Sequence, residues 1–311
     1  MKNYHVRQYT SEDFAIWNAF ISTAKNATFL FHRDFMEYHQ DRFQDFSLLV
    51  FQDDKLISVL PANRVEAAIF SHQGLTYGGF VFVSNIKVEI IKGVFHSVID
   101  FLKGNNIKTF IIKQFPNFYF SSEHSEIEYF FIKNGANLIE RDMNLAINLT
   151  LPLTISKSKL KHYNKSKTEQ LVFVEERTCN SFWHKVLEPR LKEKYSVNPV
   201  HSLSEINNLK TKFPENILQF SAYFESEIVA GITIFDKGSI VKSQYGATTE
   251  KGEKLRALDF LFITLIKKYK AEGKLFFDMG IVHKNKGLQN QKEELGCSHF
   301  VQDHYKIELD D

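Results

Sequence analysis

Only two cysteines, Cys179 and Cys297, occur in 311 residues. So few exclude a disulfide framework of the small secreted kind and any cysteine-based zinc motif. Long apolar runs are missing too. The longest, Leu258 to Ile266, is broken by Asp259 and falls far short of the ~20 residues a membrane-spanning helix needs. Met1 to Thr10 carries charges and no apolar stretch, so no signal peptide is expected and a reducing cytoplasm is the default compartment. Net charge is also small: 39 Lys and Arg against 37 Asp and Glu give a formal +2. Global charge therefore offers no case for binding DNA or a membrane. The twelve histidines include no His-Glu-x-x-His, and His299 with His304 lacks a ligand spacing, so no metal is expected. No Gly-x-Ser-x-Gly elbow accompanies Ser71 and His72, which removes the hydrolase reading.

What is present is ordinary globular material, 43% hydrophobic and 24% charged, with 30 phenylalanines that read as an aromatic core. The length favours two domains. A pseudo-repeat supports that division. In the second half, Ile217 to Phe224, Ile228 to Phe235 and Ser239 to Ala247 read as three strands joined by the turns Glu225-Ser226-Glu227 and Asp236-Lys237-Gly238. A polar loop, Thr248 to Glu253, leads into a helix marked by Leu255, Leu258, Phe262, Leu265 and Tyr269. Gly273 ends it. The strand Leu275 to Met279, a short helix from Gly287 to Leu295 and a closing strand from Phe300 to Leu309 follow.

The first half repeats this order. Phe46 to Phe51, Leu56 to Val65 and Ile69 to Tyr77 read as strands, with Gly78 and Gly79 in the loop after them. Ile91, Val94, Phe95, Val98 and Leu102 mark a helix, Lys108 to Lys113 a strand, and Glu123 to Asn134 a further helix. Each half opens with helices: Ser11 is a candidate cap in the first, and Ser202 in the second, where Phe182, Val186 and Leu191 mark another helix. The expectation is an α+β chain of two domains, 1–150 and 151–311, joined at Leu151-Pro152-Leu153. Each would be a mostly antiparallel sheet flanked by helices.

This order of elements resembles the GNAT acyltransferase fold, and two such units in tandem resemble the FemABX-like ligases and their acetyltransferase relatives. Ser71-His72-Gln73-Gly74-Leu75-Thr76-Tyr77-Gly78-Gly79, Pro199-Val200-His201-Ser202, Ser243-Gln244-Tyr245-Gly246-Ala247 and Gln291-Lys292-Glu293-Glu294-Leu295-Gly296 look like the FemAB-related GNAT proteins associated with bacterial surface-polysaccharide genes. The resemblance implies N-acyl transfer to an amino group of a sugar or cell-surface precursor, with no covalent enzyme intermediate. The acceptor would be a small molecule or nucleotide-linked, and the donor acetyl-CoA or another acyl-CoA. An aminoacyl-tRNA donor, as in the Fem ligases, and a non-catalytic binding protein of this fold stay open as alternatives. No sustained heptad pattern of the kind that forms a tRNA-binding coiled-coil arm is present.

Such chemistry rests on bringing acyl donor and amine together and on donors aimed at a developing oxyanion. The resemblance assigns the donor to the fourth strand and the following helix start: Gln244 and Tyr245 near the chemistry, then Gly246, Ala247, Gly252, Lys254, Leu255 and Arg256 around the donor. Peptide N–H groups at a helix start can hold a diphosphate. The usual GNAT loop has two closely spaced glycines; here only Gly252 is present, which leaves both donors open. Lys292 would stabilise an oxyanion or phosphate, the alternative being an exposed lysine paired with a neighbouring glutamate. Asp278 would orient the amine or act as base, or else cap the loop that follows. His72, Gln73, Tyr77 and Gln114, with Arg190, Tyr195 and His201, are the candidate acceptor residues. The basic run Lys157-Lys159-Lys161-Lys165-Lys167 would meet phosphates or form a solvated helix face.

Overall fold

The structure, a computed structural model, describes residues 3–119, 126–168, 170–282 and 285–309. It divides into two compact units, Met1–Asp142 with Val301–Asp311, and Met143–Phe300. No helix among the described residues is long and apolar enough to cross a membrane.

The first unit runs β1 (Tyr4–Gln8), α1 (Phe14–Thr23), α2 (Arg33–Met36), β2 (Gln44–Asp45), β3 (Leu48–Gln52), β4 (Lys55–Leu60), β5 (Asn63–Val65), β6 (Ala68–Phe70), β7 (Val81–Phe82), α3 (Val88–Gly104), β8 (Thr109–Lys113), α4 (Glu126–Lys133) and the first half of β9 (Asn137–Asn148). The expected start of α4 at Glu123 lies outside the described residues. A four-stranded sheet has the order β1-β3-β4-β7, and a second ladder pairs β8 with β6, β6 with β5 and β5 with β2. The apolar face of α3, Ile91, Val94, Phe95, Val98 and Leu102, is the set that helical spacing picked out, and all five are buried in the unit's core. The approach to α1 differs from expectation: Thr10, not Ser11, precedes the first turn, and its N–H donates to the Asp13 carboxylate at 3.0 Å.

One expected strand does not form. Ile69 to Tyr77 continues β6 only to Phe70; the rest leaves the sheet and closes on itself. Ser71 N–H donates to Ile111 O at 2.9 Å, and Gly78 N–H donates to Lys113 O at 2.8 Å. The two ends of this loop touch so closely that a Cβ at Gly78 would stand 1.6 Å from the Ser71 carbonyl oxygen. Alternating side chains alone could not show that Gly78 lets the chain double back here.

The second unit holds α5 (Lys157–Thr168), β10 (Val172–Glu176), α6 (Asn180–Phe182), a π-helical turn (Trp183–Leu187), α7 (Glu188–Tyr195), α8 (Leu203–Lys212), β11 (Ile217–Phe224), β12 (Glu227–Asp236), β13 (Ile240–Thr248), α9 (Glu250–Lys254), α10 (Ala257–Ala271), β14 (Phe276–Ile281), α11 (Lys286–Glu294) and the start of β15 (Ser298–Glu308). Strand order is β10-β11-β12-β13-β14-β9, antiparallel except for the parallel pair β13 and β14. Ser202 caps α8 as expected: its Oγ accepts the Glu205 N–H, and the Glu205 carboxylate accepts the Ser202 N–H at 2.7 Å. Buried Ala257, Leu261, Leu265 and Tyr269 of α10 pack among Phe220, Ile232, Val241 and Phe277. Each fully buried leucine there contributes about 1.5–3 kcal/mol of hydrophobic stabilisation.

The last strand of each half pairs away from its own repeat. Residues Asn144 to Asn148 of β9 pair with Ile281 to Phe276 of β14 in the second unit. Residues His304 to Glu308 of β15 pair with Lys113 to Thr109 of β8 in the first. This exchange is why the first unit contains the C-terminal residues and why the division falls at Asp142 rather than at Leu151.

Candidate active site

The parallel strands β13 and β14 pair only at Ile240–Phe276, Val241–Phe277 and Lys242–Asp278. Beyond that register β13 keeps its bonds to β12 on one side and has no strand partner on the other among the described residues. The two strands thus open into a wedge whose β13 wall, Ser243 to Thr248, presents backbone N–H and C=O groups to whatever enters. A bulge begins at the same place. Thr233 faces Tyr245 and Ile234 faces Ser243, leaving Gln244 as the extra residue. A bulge bends its strand and turns a backbone group out of the ladder, a common device beside reacting atoms.

At the apex of the wedge, Lys242 Nζ donates to Asp278 Oδ2 at 3.0 Å, and the Gly280 N–H donates to Asp278 Oδ1 at 2.7 Å. Asp278 is fully buried, so its charge is held by a cation and a peptide N–H rather than by water. Both carboxylate oxygens are therefore engaged, and the loop-capping role is the one this geometry displays. Lys292 arrives from α11. It is 7% exposed, makes no ion pair with a glutamate among the described residues, and donates to the Gly280 carbonyl at 3.3 Å. Burial, with the Lys242 ammonium nearby, pulls its amine down to about 8. Cys297 packs against the core beside this group, and burial pushes its thiol up to about 12, a structural rather than a reactive thiol.

Along β13 beyond the apex lies a cavity of about 650 Å³. Gly246, Ala247 and Thr248 of β13, Gly252 and Glu253 of α9, and Arg256 line it, facing Gly287, Leu288, Gln291 and Glu294 of α11. Arg190, Lys194 and Tyr195 of α7 and Lys159 of α5 complete it. Six of the sequence-derived candidates, Arg190, Tyr195, Gly246, Ala247, Gly252 and Arg256, thus share one cavity. Lys254 is exposed outside it, and Leu255 packs on the core.

The cavity's charges are mostly matched. Glu253 accepts from Arg190 and, at 2.9 Å, from Lys194. Lys159 makes a buried pair with Asp259 at 2.7 Å, so one lysine of the basic run turns inward while Lys157, Lys161 and Lys165 are exposed. The Lys167 side chain lies outside the described residues. Arg256 is exposed, makes no ion pair among the described residues, and stands at the N-cap of α10 with φ of 55°, in the left-handed region that favours glycine. Gly252 serves close packing: a Cβ there would meet the Val229 carbonyl oxygen at 2.1 Å. Its N–H donates to Thr249 Oγ1 at 3.1 Å, the cap of α9.

The remaining candidates are engaged elsewhere. Tyr245 Oη lies 2.6 Å from His201 Nδ1 and accepts the His201 backbone N–H, with Trp183 packed edge-on to the Tyr245 ring. In the first unit, the Gln73 side chain accepts from Asn63 at 2.8 Å. Tyr77 is fully buried and donates to Thr28 Oγ1 at 3.0 Å. Gln114 ties into the last strand through Asp303 O and the Gln302 side chain. His72 lines a cavity in the first unit. Lys242, Asp259 and Glu253 were not picked out as site residues from the sequence, and Lys159 was picked out only as a member of the basic run. A lysine directly after the apolar pair Ile240-Val241 was the available signal for Lys242.

Solved structures share this architecture across nearly the whole chain. The chain is similar to FemX at 11% identity and TM-score 0.72, covering 98% of this chain and 97% of that one. It is similar to L-PGS from Bacillus licheniformis at 15% identity and TM-score 0.63, covering 96% and 92%. It is also similar to a tandem GNAT protein from the clavulanic acid biosynthesis pathway at 8% identity and TM-score 0.55, covering 99% of each. The fold is the tandem GNAT fold. No protein-family model matches the sequence, and no curated protein matches it. In the second unit, the wedge and cavity bring buried charge, a strand edge without a strand partner among the described residues, and open space together.

Proposed function

We propose that this chain is an N-acyltransferase that passes an acyl group from a donor held along β13 directly to a primary amine. The single observation that carries the reading is the wedge. Two parallel strands separate just past the Lys242–Asp278 pair and leave a strand edge facing a 650 Å³ cavity. An extended donor arm containing amides can pair with that edge as an added strand would. The bulge at Gln244 supplies N–H groups for the oxyanion that develops on the acyl carbonyl. The Lys292 ammonium adds a positive charge at the apex, while Asp278 positions Lys242 and the Gly280 turn. The amine forms the C–N bond as the bond to the leaving group breaks, and the leaving group takes up the proton that the amine loses, with no side-chain nucleophile required.

The donor we favour is an acyl-CoA, and the acceptor an amino group on a sugar or cell-surface precursor. Arg256 is the cation available to a donor phosphate. An aminoacyl-tRNA donor is a second reading, favoured by one observation: Glu253 already occupies Arg190 and Lys194, and Thr249 already occupies the Gly252 N–H. Such a cavity suits an acyl arm better than a diphosphate. The test is release of free thiol from acetyl-CoA and longer acyl-CoAs with glucosamine as acceptor, run beside transfer from charged tRNA. Amine-dependent thiol release, cut about 100-fold or more in Lys292→Ala, is the expected result. Transfer from tRNA alone selects the second reading, and no transfer from either donor overturns both.

A further inference from the structure

A second cavity, of about 610 Å³, lies wholly within the first unit. Its walls come from Tyr9 to Ser11 after β1, from Met36 to Asp41 after α2, and from Phe43, Asp45 and His72. His72 is 6% exposed and stands at φ of 78°, in the left-handed region that β- and γ-substituted residues seldom occupy. Its Nδ1 accepts the Gly74 N–H at 3.2 Å, which leaves the proton on Nε2. That N–H has no hydrogen-bond partner among the described residues, and His72, although its side chain is mostly buried, lines the cavity. Glu37 offers the complementary group: Tyr9 Oη donates to its Oε1 at 3.1 Å, and its Oε2 is unengaged.

The walls are rigid and aromatic. The His39 ring stacks on Tyr38 with centroids 4.2 Å apart and lies 5.0 Å from Phe43, and the His72 ring is 5.4 Å from both His39 and Phe43. Behind Tyr9, the buried Arg33 guanidinium sits 3.3 Å from the Tyr9 ring centroid and 4.2 Å from that of Trp17, and it is ion-paired to Asp45. These contacts fix Tyr9 and Asp45 before any ligand arrives.

Charge narrows the ligand class. Three carboxylates, Glu37, Asp41 and Asp45, line the cavity and no lysine or arginine does. Burial holds His72 at about 3 and lowers His39, so both imidazoles are neutral near pH 7. Asp45 is matched by Arg33, but Glu37 and Asp41 have no ion pair among the described residues, so a phosphate or carboxylate ligand would meet their negative charge, whereas an ammonium would be favoured by it. No group of three His, Cys, Asp or Glu side chains among the described residues is placed to hold a metal ion.

We propose that this cavity is a binding site for a small hydroxylated ligand carrying a protonated amine, with His72 Nε2 donating to a ligand oxygen and Glu37 accepting from the ammonium. The aromatic faces of Tyr9 and Phe43 suit the apolar face of a sugar ring. The assignment stands on the first unit alone and does not depend on the acyl-transfer reading.

Glucosamine is the probe. Titration of the full chain, followed by calorimetry and by NMR of the histidine ring protons, should give saturable binding with the His72 and His39 resonances shifted. N-acetylglucosamine, which keeps the hydroxyls and loses the charge, should bind about tenfold or more weakly. His72→Asn tolerates the positive φ and removes the ring donor; Glu37→Gln removes the charge. Each should weaken glucosamine about tenfold or more, with circular dichroism and melting temperature establishing that the variant is folded. Should either fail to fold, Ser11→Leu, at the exposed rim, blocks the cavity instead and should abolish binding. Absence of saturable binding, equal affinity for N-acetylglucosamine, binding untouched by the folded variants, or displacement of glucosamine by zinc ions would overturn the proposal.

Discussion

Lys292 is held where water is scarce, between the Gly280 carbonyl and the Lys242 ammonium. Its folded amine is lowered to about 8 from 10.5, so between those values the folded chain binds fewer protons than the unfolded chain. Stability then rises with pH through that window, and the cost of burying the charged lysine is felt in full below pH 8. Lys292→Met should therefore stabilise the protein at pH 7, by roughly 3 kcal/mol at most given 1.36 kcal/mol per pKa unit. That gain should fade as the pH rises toward 10.5. Chemical denaturation at pH 7 and pH 10 checks this; a gain equal at both pH values would show that charge burial is not its source. Lys292 stood out in the sequence because its setting, Gln291-Lys292-Glu293-Glu294-Leu295-Gly296, resembles the FemABX-like proteins. Its partner group was not legible: Lys242 and Asp278 are 36 residues apart and meet only through the parallel pairing of their strands.

Among elements, β13 with α10 was the most readable and the loop after β6 the least; α9 forms where a polar loop was expected. The turns around β13 are marked by Asp236, Gly238 and the polar run from Thr248, and the apolar residues Leu258, Phe262, Leu265 and Tyr269 recur at helical spacing in α10. The bulge at Gln244 leaves no such mark. The loop from Ser71 to Gly78 has β-like composition but departs from the sheet because Gly78 packs on the Ser71 carbonyl, a contact set by backbone space rather than by propensity. Gly252 shows the same kind of constraint within the candidate site. Gly252→Ala would push a methyl toward the Val229 carbonyl oxygen and the Thr248 hydroxyl, 2.1 and 2.3 Å from the ideal Cβ position. The expected cost is about 1–3 kcal/mol, read as a lower denaturation midpoint at unchanged slope. A neutral result would mean that α9 moves freely away from β12, and the cavity would then lack a fixed floor.

In the whole molecule, the sequence repeat and the compact units do not coincide. Periodicity tells that β9 and β15 are strands and that each ends a repeat; it carries no information about which neighbour each will find. Because β15 pairs with β8, Tyr305, Ile307 and Leu309 fill the core of the first unit. Truncation after Phe300 should therefore loosen the first unit, although the deleted residues close the second repeat. Hydrogen exchange should accelerate in β8 and α3 and change little in β11 to β13. Acceleration confined to the second unit would contradict the strand exchange.

The account as a whole rests on a donor site along β13. The most direct test is hydrogen–deuterium exchange of the full chain with and without acetyl-CoA. Slowed exchange in Ser243 to Arg256 and in α11, with the first unit unchanged, is the predicted result. Protection absent from the second unit, or present only in the first, would contradict it.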